Sequence, residues 1–327
     1  MADLFEYIET GHRNKIIMVG DSAQLPPVGY CESPALDISL MQMFCEPEYH
    51  TLSQVMRQGE DSGILYNATL VREMIESEYV DTPALHLSDD VIRVGGMDLI
   101  EMLEDSYSRY GKQGCAVITR SNKRANRFNQ GIRQMILTHQ EEIESGDLLM
   151  VVKNNYAPIS ESKDLDFIAN GDMVMVRRIM KIEERYGFRF AYALLSLPDY
   201  DELSIERWII LDTLHVEAPS LNQQQQEQLF RGVEQEYMDI TIKRKRIEKV
   251  LEDEFYNALQ VKFAYAFTCH KAQGGQWHDI YIDTLLFGDE PMTMEFARWL
   301  YTAITRATGK VYFVGWDGSF FDNYIED

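Results

Sequence analysis

Four stretches of this sequence carry residue types and spacings suited to handling a phosphate. In the first, an apolar run Lys15-Ile16-Ile17-Met18-Val19 stops at Gly20-Asp21 and passes into Ser22-Ala23-Gln24-Leu25-Pro26-Pro27-Val28. A strand that ends in Gly-Asp delivers a polar loop to the carboxyl edge of a sheet, where α/β proteins place ligands, and the paired prolines stiffen the far side of that loop. A Pro-rich turn with a capping Asp is the plainer reading of the same string. The stretch Leu52-Ser53-Gln54-Val55-Met56-Arg57-Gln58 contributes one Arg, a permanently charged planar fork matched to phosphate oxygens, although an Arg on a polar helix is ordinarily just solvated. In Tyr265 to Trp277, the side chains of Thr268, His270, Lys271 and Gln273 supply donors without a base code, and Gly274-Gly275 lets backbone approach a ligand closely. The fourth, Trp299-Leu300-Tyr301-Thr302-Ala303-Ile304-Thr305-Arg306-Ala307, carries a single Arg, while Tyr301 and Ile304 also fit a core stripe.

These stretches need a scaffold, and the apolar pattern predicts one. Leu4 to Ile8 reads as the end of a helix and Lys15 to Val19 as a short strand. Further strands are predicted at Cys115-Ala116-Val117-Ile118-Thr119, Ile280-Tyr281-Ile282 and Val311-Tyr312-Phe313-Val314, with a helix over Lys123 to Leu137. Short apolar strands alternating with helices indicate an α/β fold with a mainly parallel sheet. From about Asp147 to Val216 the rhythm changes to β-rich runs, such as Met173 to Val176 and Arg207 to Leu211, separated by turns such as Asn170-Gly171-Asp172, which predicts an inserted small β barrel. A charged, helix-favouring stretch begins after Gln223-Gln224-Gln225-Gln226 and runs to about Glu254.

Composition narrows the function classes. With 327 residues, 45% of them hydrophobic, the chain has apolar material for two compact domains or for one with a sizeable insertion. No apolar run of membrane-spanning length and no secretory pattern is present, so the expectation is a cytoplasmic protein without a membrane partner. The four cysteines, Cys31, Cys45, Cys115 and Cys269, are scattered singly, which leaves zinc ligation and a disulfide framework without their spacing and predicts free, mostly buried thiols. A formal charge of -22 argues against a surface that attracts nucleic acid as a whole, so any such contact is local.

Taken in order, the four stretches resemble motifs III to VI of superfamily 1 DNA helicases, and the double proline of GDSAQLPPV resembles the RecD-like, 5′ to 3′ branch. The resemblance covers nearly the whole chain. It implies an α/β fold comprising a second RecA-like motor domain with a parallel sheet and an inserted small SH3-like β barrel, together with the tail end of the first RecA-like domain. Residues 1–57 would end the first domain and 58–112 form a helical connector; 113–150 and 261–327 would build the second domain, and 151–260 the inserted barrel and helical segment. By the same resemblance Gln24 senses the terminal phosphate of ATP, Arg57 reaches the γ-phosphate and Arg306 is the arginine finger, with Gly20, Asp21, Gln273 and Gly274 lying toward the nucleotide. Thr268, His270 and Lys271 would face single-stranded DNA. Thr119 and Asn122, after a strand as in the family's early second-domain motif, would cap a helix and hold a DNA phosphate, and Lys153, Asn155 and Tyr156 at the barrel edge would touch the strand.

An NTPase also needs a Gly-rich phosphate loop and an acidic pair for magnesium, and no GxxxxGK[ST] occurs in the sequence. The resemblance therefore implies a rear portion of a larger helicase whose missing N-terminal RecA-like segment supplies ATP and Mg binding, with neither held tightly by this chain alone and no metal site of its own. A non-catalytic DNA- or protein-binding module derived from a helicase, and a component of an exonuclease-helicase complex, are the alternatives. No clustered Asp, Glu and Lys of nuclease type supports the latter.

Overall fold

Apolar runs too short for helices form the strands around which the rest is arranged. The computed structural model describes residues 1–52, 59, 61–159, 165–283 and 292–322. Helices α1 (Ala2–Glu9), α2 (Ile38–Met41) and α3 (Gly63–Glu76) precede strand β1 (Val91–Val94), helix α4 (Leu99–Tyr110), strand β2 (Cys115–Thr119) and helix α5 (Asn122–Gly131). Next come β3 (Leu148–Val151), β4 (Met173–Arg185), β5 (Phe188–Leu197), β6 (Leu203–Ile210), α6 (Gln223–Glu236), α7 (Lys243–Glu252) and β7 (Leu259–Phe263). The last described elements are β8 (Ala266–Thr268), α8 (Cys269–Ala272), β9 (Trp277–Asp283), α9 (Met294–Ile304) and β10 (Ala307–Val314). The chain divides into two units, Met1–Val94 with Ala272–Asp327, and Gly95–Lys271.

In the first unit β10 lies between β1 and β9, all parallel, with Val311 opposite both Val91 and Ile280. Strands covered on both faces read as unbroken apolar runs, and Ile280, Tyr281, Ile282, Val311 and Phe313 are buried accordingly. Helix α9 buries Phe296, Trp299, Leu300 and Ile304, and α3 packs against it. Each such side chain contributes roughly 1.5–3 kcal/mol of burial. Trp316 is completely buried, and its indole nitrogen donates to the Ile282 carbonyl at 3.0 Å.

In the second unit β2 and β8 pair in parallel, Val117 opposite Ala266, and α5 lies against both strands. The expected barrel is present: β3 to β7 close into a five-stranded barrel. Its fifth strand, β7, lies beyond the 147–216 range, because α6 and α7 intervene and cover an aromatic end of the barrel that includes Phe188, Phe190, Trp208 and Phe255.

Three expectations change. Lys15–Val19 forms no strand: Ile17 and Val19 are 85% and 88% exposed, since no described strand offers the run a hydrogen-bonded ladder. The helix expected over Lys123 to Leu137 stops at Gly131 and widens into a π turn, Ile132–Ile136. All four cysteines are free, but only Cys115 and Cys269 are buried. Among the described residues no helix is long and apolar enough to cross a membrane.

Candidate functional site

The Gly20–Pro27 loop of the first unit is held by its own backbone and by three surrounding elements. Asp21 begins the loop and serves as its hub: Oδ1 accepts from the Ala23 amide at 3.1 Å and lies 3.2 Å from Arg72 Nη1, and Oδ2 accepts from Tyr301 Oη at 2.9 Å and from Gln24 Nε2 at 3.3 Å. Arg72, on α3, donates to the same phenol oxygen at 2.8 Å, so helices α3 and α9 meet on one carboxylate. Burial, and then the charge of Asp21, push the Tyr301 phenol up to about 12, so it stays a proton donor at physiological pH.

Leu25 is clasped from two sides. Its amide donates to Thr302 Oγ1 at 3.0 Å, and its carbonyl accepts from Gln273 Nε2 at 2.7 Å. Thr302 in turn links to Arg306, whose Nε donates to the Thr302 carbonyl at 3.0 Å while Nη1 donates to the Gly275 carbonyl at 3.2 Å and Nη2 to Thr305 Oγ1 at 3.1 Å. Arg306 is 5% exposed, and its guanidinium is engaged by protein oxygens. Gly274 sits at φ +83°, a conformation that side chains with a Cβ resist, and so ends α8 where Gln273 must turn toward Leu25. A small hollow beside this clasp is lined by Asp21, Ser22, Gln24, Leu25, Pro26 and Arg298. Arg298 Nη2 lies 3.7 Å from Glu32, and Nη1 donates to the Cys31 carbonyl, so α9 also holds the far arm of the loop.

The structure thus brings Gln24, Asp21, Gln273 and Arg306 into one hydrogen-bonded neighbourhood of the first unit. Gly20 is exposed beside Leu36, and Gly274 is exposed next to Gln273. Arg57 lies outside the described residues.

In the second unit, Thr119 is fully buried, its hydroxyl 3.1 Å from the Ser121 carbonyl and 3.4 Å from the Phe267 carbonyl. Neither it nor Asn122 caps α5. Ser121 is the cap, its hydroxyl accepting from the Arg124 amide at 3.2 Å, because it directly precedes the helix in extended conformation. Asn122 opens the helix and lines a crevice with Asn126, Asn129, Lys262, Phe263 and Lys271. Lys262 donates to the Thr213 and Val216 carbonyls. Burial and the nearby Lys271 push its ammonium down to about 8. Burial alone lowers Lys271, whose Nζ donates to Asn170 Oδ1 at 2.6 Å. Thr268 ends β8 half-buried and His270 is exposed. Asn155 is 8% exposed and holds its own loop, with Nδ2 donating to the Asn257 carbonyl at 2.6 Å and Oδ1 accepting from the Ala157 amide at 3.2 Å.

Residues 263–314 match the UvrD-like helicase C-terminal domain. The matched segment contains the Tyr265–Trp277 stretch, α9 and Arg306 just beyond it. Among solved structures the chain is similar to a Pif1 helicase from Candida albicans, at 13% identity and a TM-score of 0.46 over 93% of this chain and 64% of that one. It is also similar to a Pif1 helicase from Bacteroides in complex with ADP-AlF3 and ssDNA, at 14% identity and a TM-score of 0.44 over 94% of this chain and 63% of that one. The chain therefore spans just under two thirds of these structures. No curated protein matches it.

Around the matched segment, the sequence did not single out Arg72, Thr302 and Arg298. Arg298 had a signal, being the one Arg on α9 shortly before Arg306, whereas nothing in the spacing of α3 singles out Arg72. The clasp on Leu25 is testable through Thr302→Val, which leaves a buried amide without its acceptor. A loss of about 1–3 kcal/mol is expected, with faster hydrogen exchange at the Leu25 amide. Unchanged exchange there would show that Thr302 does not hold the loop.

Proposed function

We propose that this chain is the rear part of a superfamily 1 DNA helicase motor of the RecD-like branch, which couples ATP hydrolysis to movement along single-stranded DNA and unwinds duplex. The observation that carries the reading is the helicase C-terminal match over 263–314 together with the clasp on Leu25, in which side chains from that segment hold the loop bearing Gln24. In this reading β2, β8, β9 and β10 belong to the second RecA-like domain, residues 1–57 end the first, and the five-stranded barrel is the SH3-like insertion.

The donor chemistry of the first unit suits the terminal phosphate of ATP: a carboxamide at Gln24 and the guanidinium of Arg298 line a small hollow, and Arg306 is tied to the same loop through Thr302 and Leu25. Bound ATP with Mg would supply the phosphoryl group whose transfer drives the cycle. Toward it, Gln24 and Arg57 act as γ-phosphate sensors and Arg306 as the finger. Leu25 passes any displacement of Gln24 to Thr302 and Gln273. A phosphate loop and an acidic magnesium pair would come from an N-terminal RecA-like segment of the same protein. The 327-residue polypeptide itself is expected to leave ATP unhydrolysed, with or without DNA.

Strand binding by this polypeptide is the direct test. Fluorescence anisotropy with labelled oligo(dT) is expected to show binding whose log affinity falls with log salt at a slope of about -2, if Lys153, Lys262 and Lys271 each engage one phosphate. Raising the pH through about 8 discharges Lys262 and weakens binding further. A salt-independent affinity, or none, would overturn the assignment of the strand to this surface.

A further inference from the structure

The barrel edge of the second unit carries a feature that the phosphate contacts leave unused. Tyr156 is 68% exposed and Phe167 36% exposed, and their rings lie 5.2 Å apart at an interplanar angle of 32°. Backbone pairing between Asn155 and Ile168, with N to O distances of 2.9 and 3.0 Å in the two directions, sets the two rings side by side. A chain of amides fixes the pair from one flank. Asn154 Nδ2 donates to Tyr156 Oη at 2.9 Å, Asn154 Oδ1 accepts from the Asn170 amide at 2.8 Å, and Asn170 Oδ1 accepts from Lys271 at 2.6 Å. Lys153, next to Asn154 in the chain, donates to Gln226 Oε1 at 3.1 Å.

Single exposed aromatics are ordinary on protein surfaces, but a pair ordered by hydrogen bonds and bordered by cations is a built surface. The acceptors of Lys153 and Lys271 are neutral amides, and among the described residues neither lysine forms an ion pair, in a chain of net charge -22. Lys271 is thus joined through Asn170 and Asn154 to the phenol of the ring pair. A polyanion with unstacked planar groups matches both properties at once. Duplex DNA does not, because its base faces are already covered by stacking.

We infer that Tyr156 and Phe167 form a stacking platform for the bases of single-stranded nucleic acid, with Lys271 and Lys153 taking neighbouring phosphates. The inference rests on the proposed reading of this unit as a strand-binding surface and adds to it a grip on bases rather than on backbone. Base stacking on an aromatic side chain tolerates any sequence, since every base presents a π face, so the platform gives affinity without specificity.

The test compares oligo(dT) with an abasic strand of equal length and charge, using the 327-residue polypeptide and its Tyr156→Ala, Phe167→Ala and Tyr156→Trp variants. The unaltered protein is expected to bind oligo(dT) roughly tenfold more tightly than the abasic strand. Tyr156→Ala and Phe167→Ala should each erase most of that preference, Phe167→Ala with abasic binding and thermal unfolding unchanged, and Tyr156→Trp should retain it. If oligo(dT) and the abasic strand bind equally well, or if the alanine variants keep the preference, the platform is refuted and the strand-binding reading stands. If oligo(dT) does not bind at all, both fall.

Discussion

Asp147→Ala is expected to destabilise the second unit by about 3–5 kcal/mol, because it leaves a buried guanidinium without its counterion. Asp147 is fully buried where the chain enters β3. Its Oδ1 accepts from Arg133 Nε at 2.9 Å and Tyr265 Oη at 3.0 Å, with His139 Nδ1 also at 3.0 Å. Its Oδ2 accepts from Arg133 Nη2 at 2.9 Å and the Glu144 amide at 2.7 Å. Removing the carboxylate strands all of these donors at once, and the side chain of Arg133 is only 7% exposed. Burial, and then the charge of Asp147, push the Tyr265 phenol far up, so this hydroxyl remains a donor that needs an acceptor. Asp147→Asn keeps the shape and one acceptor oxygen and should cost less than the alanine. Urea unfolding measures both, and a loss below about 1 kcal/mol for Asp147→Ala would show that water replaces the carboxylate at little cost.

That network was illegible in the sequence, and the reason is physical. Arg133, His139, Asp147 and Tyr265 span more than a hundred residues and share no period, so only the closed chain shows that they meet. What was legible had a local cause. Cys115–Thr119 is apolar at almost every position and became a strand buried at every residue. The Met173–Val176 and Arg207–Leu211 runs became barrel strands because their alternation and turns are local properties. Lys15–Val19 carries the same apolar signal and failed as a strand, since a ladder needs a partner that periodicity does not guarantee. For the candidate site, the loop around Gln24 and the stretch around Gln273 were visible as strings. Their joining at Leu25 was not, because one of its two hydrogen bonds runs to Thr302, which nothing in the spacing of its stretch singles out.

Arg306→Lys is expected to lower DNA-stimulated ATP turnover by about a thousandfold or more in the intact motor that the proposed reading requires, with a much smaller change in ATP affinity. The two cations differ in geometry as well as in hydration. The Arg306 fork reaches Thr302, Thr305 and Gly275 in three directions simultaneously, and a lysine ammonium at the end of a flexible stem cannot reproduce that span. Those contacts also present a competing role. A guanidinium 5% exposed, with donors on the Thr302 and Gly275 carbonyls, ties α9 to the turn after α8 whether or not it meets a phosphate. If it were only a tie, Arg306→Lys would loosen the first unit in proportion to the lost hydrogen bonds, on the order of 1–3 kcal/mol, and turnover would fall only as far as the folded fraction does. If it is the finger, turnover collapses in protein that is still folded, since the lost planar fork matters only when negative charge builds up on the transferring phosphoryl oxygens. Measuring thermal unfolding and single-turnover hydrolysis on the same preparation separates the two. A variant that is fully folded and hydrolyses ATP at the original rate would remove Arg306 from the proposed phosphate contacts and leave it only the role of tying α9 to the turn after α8.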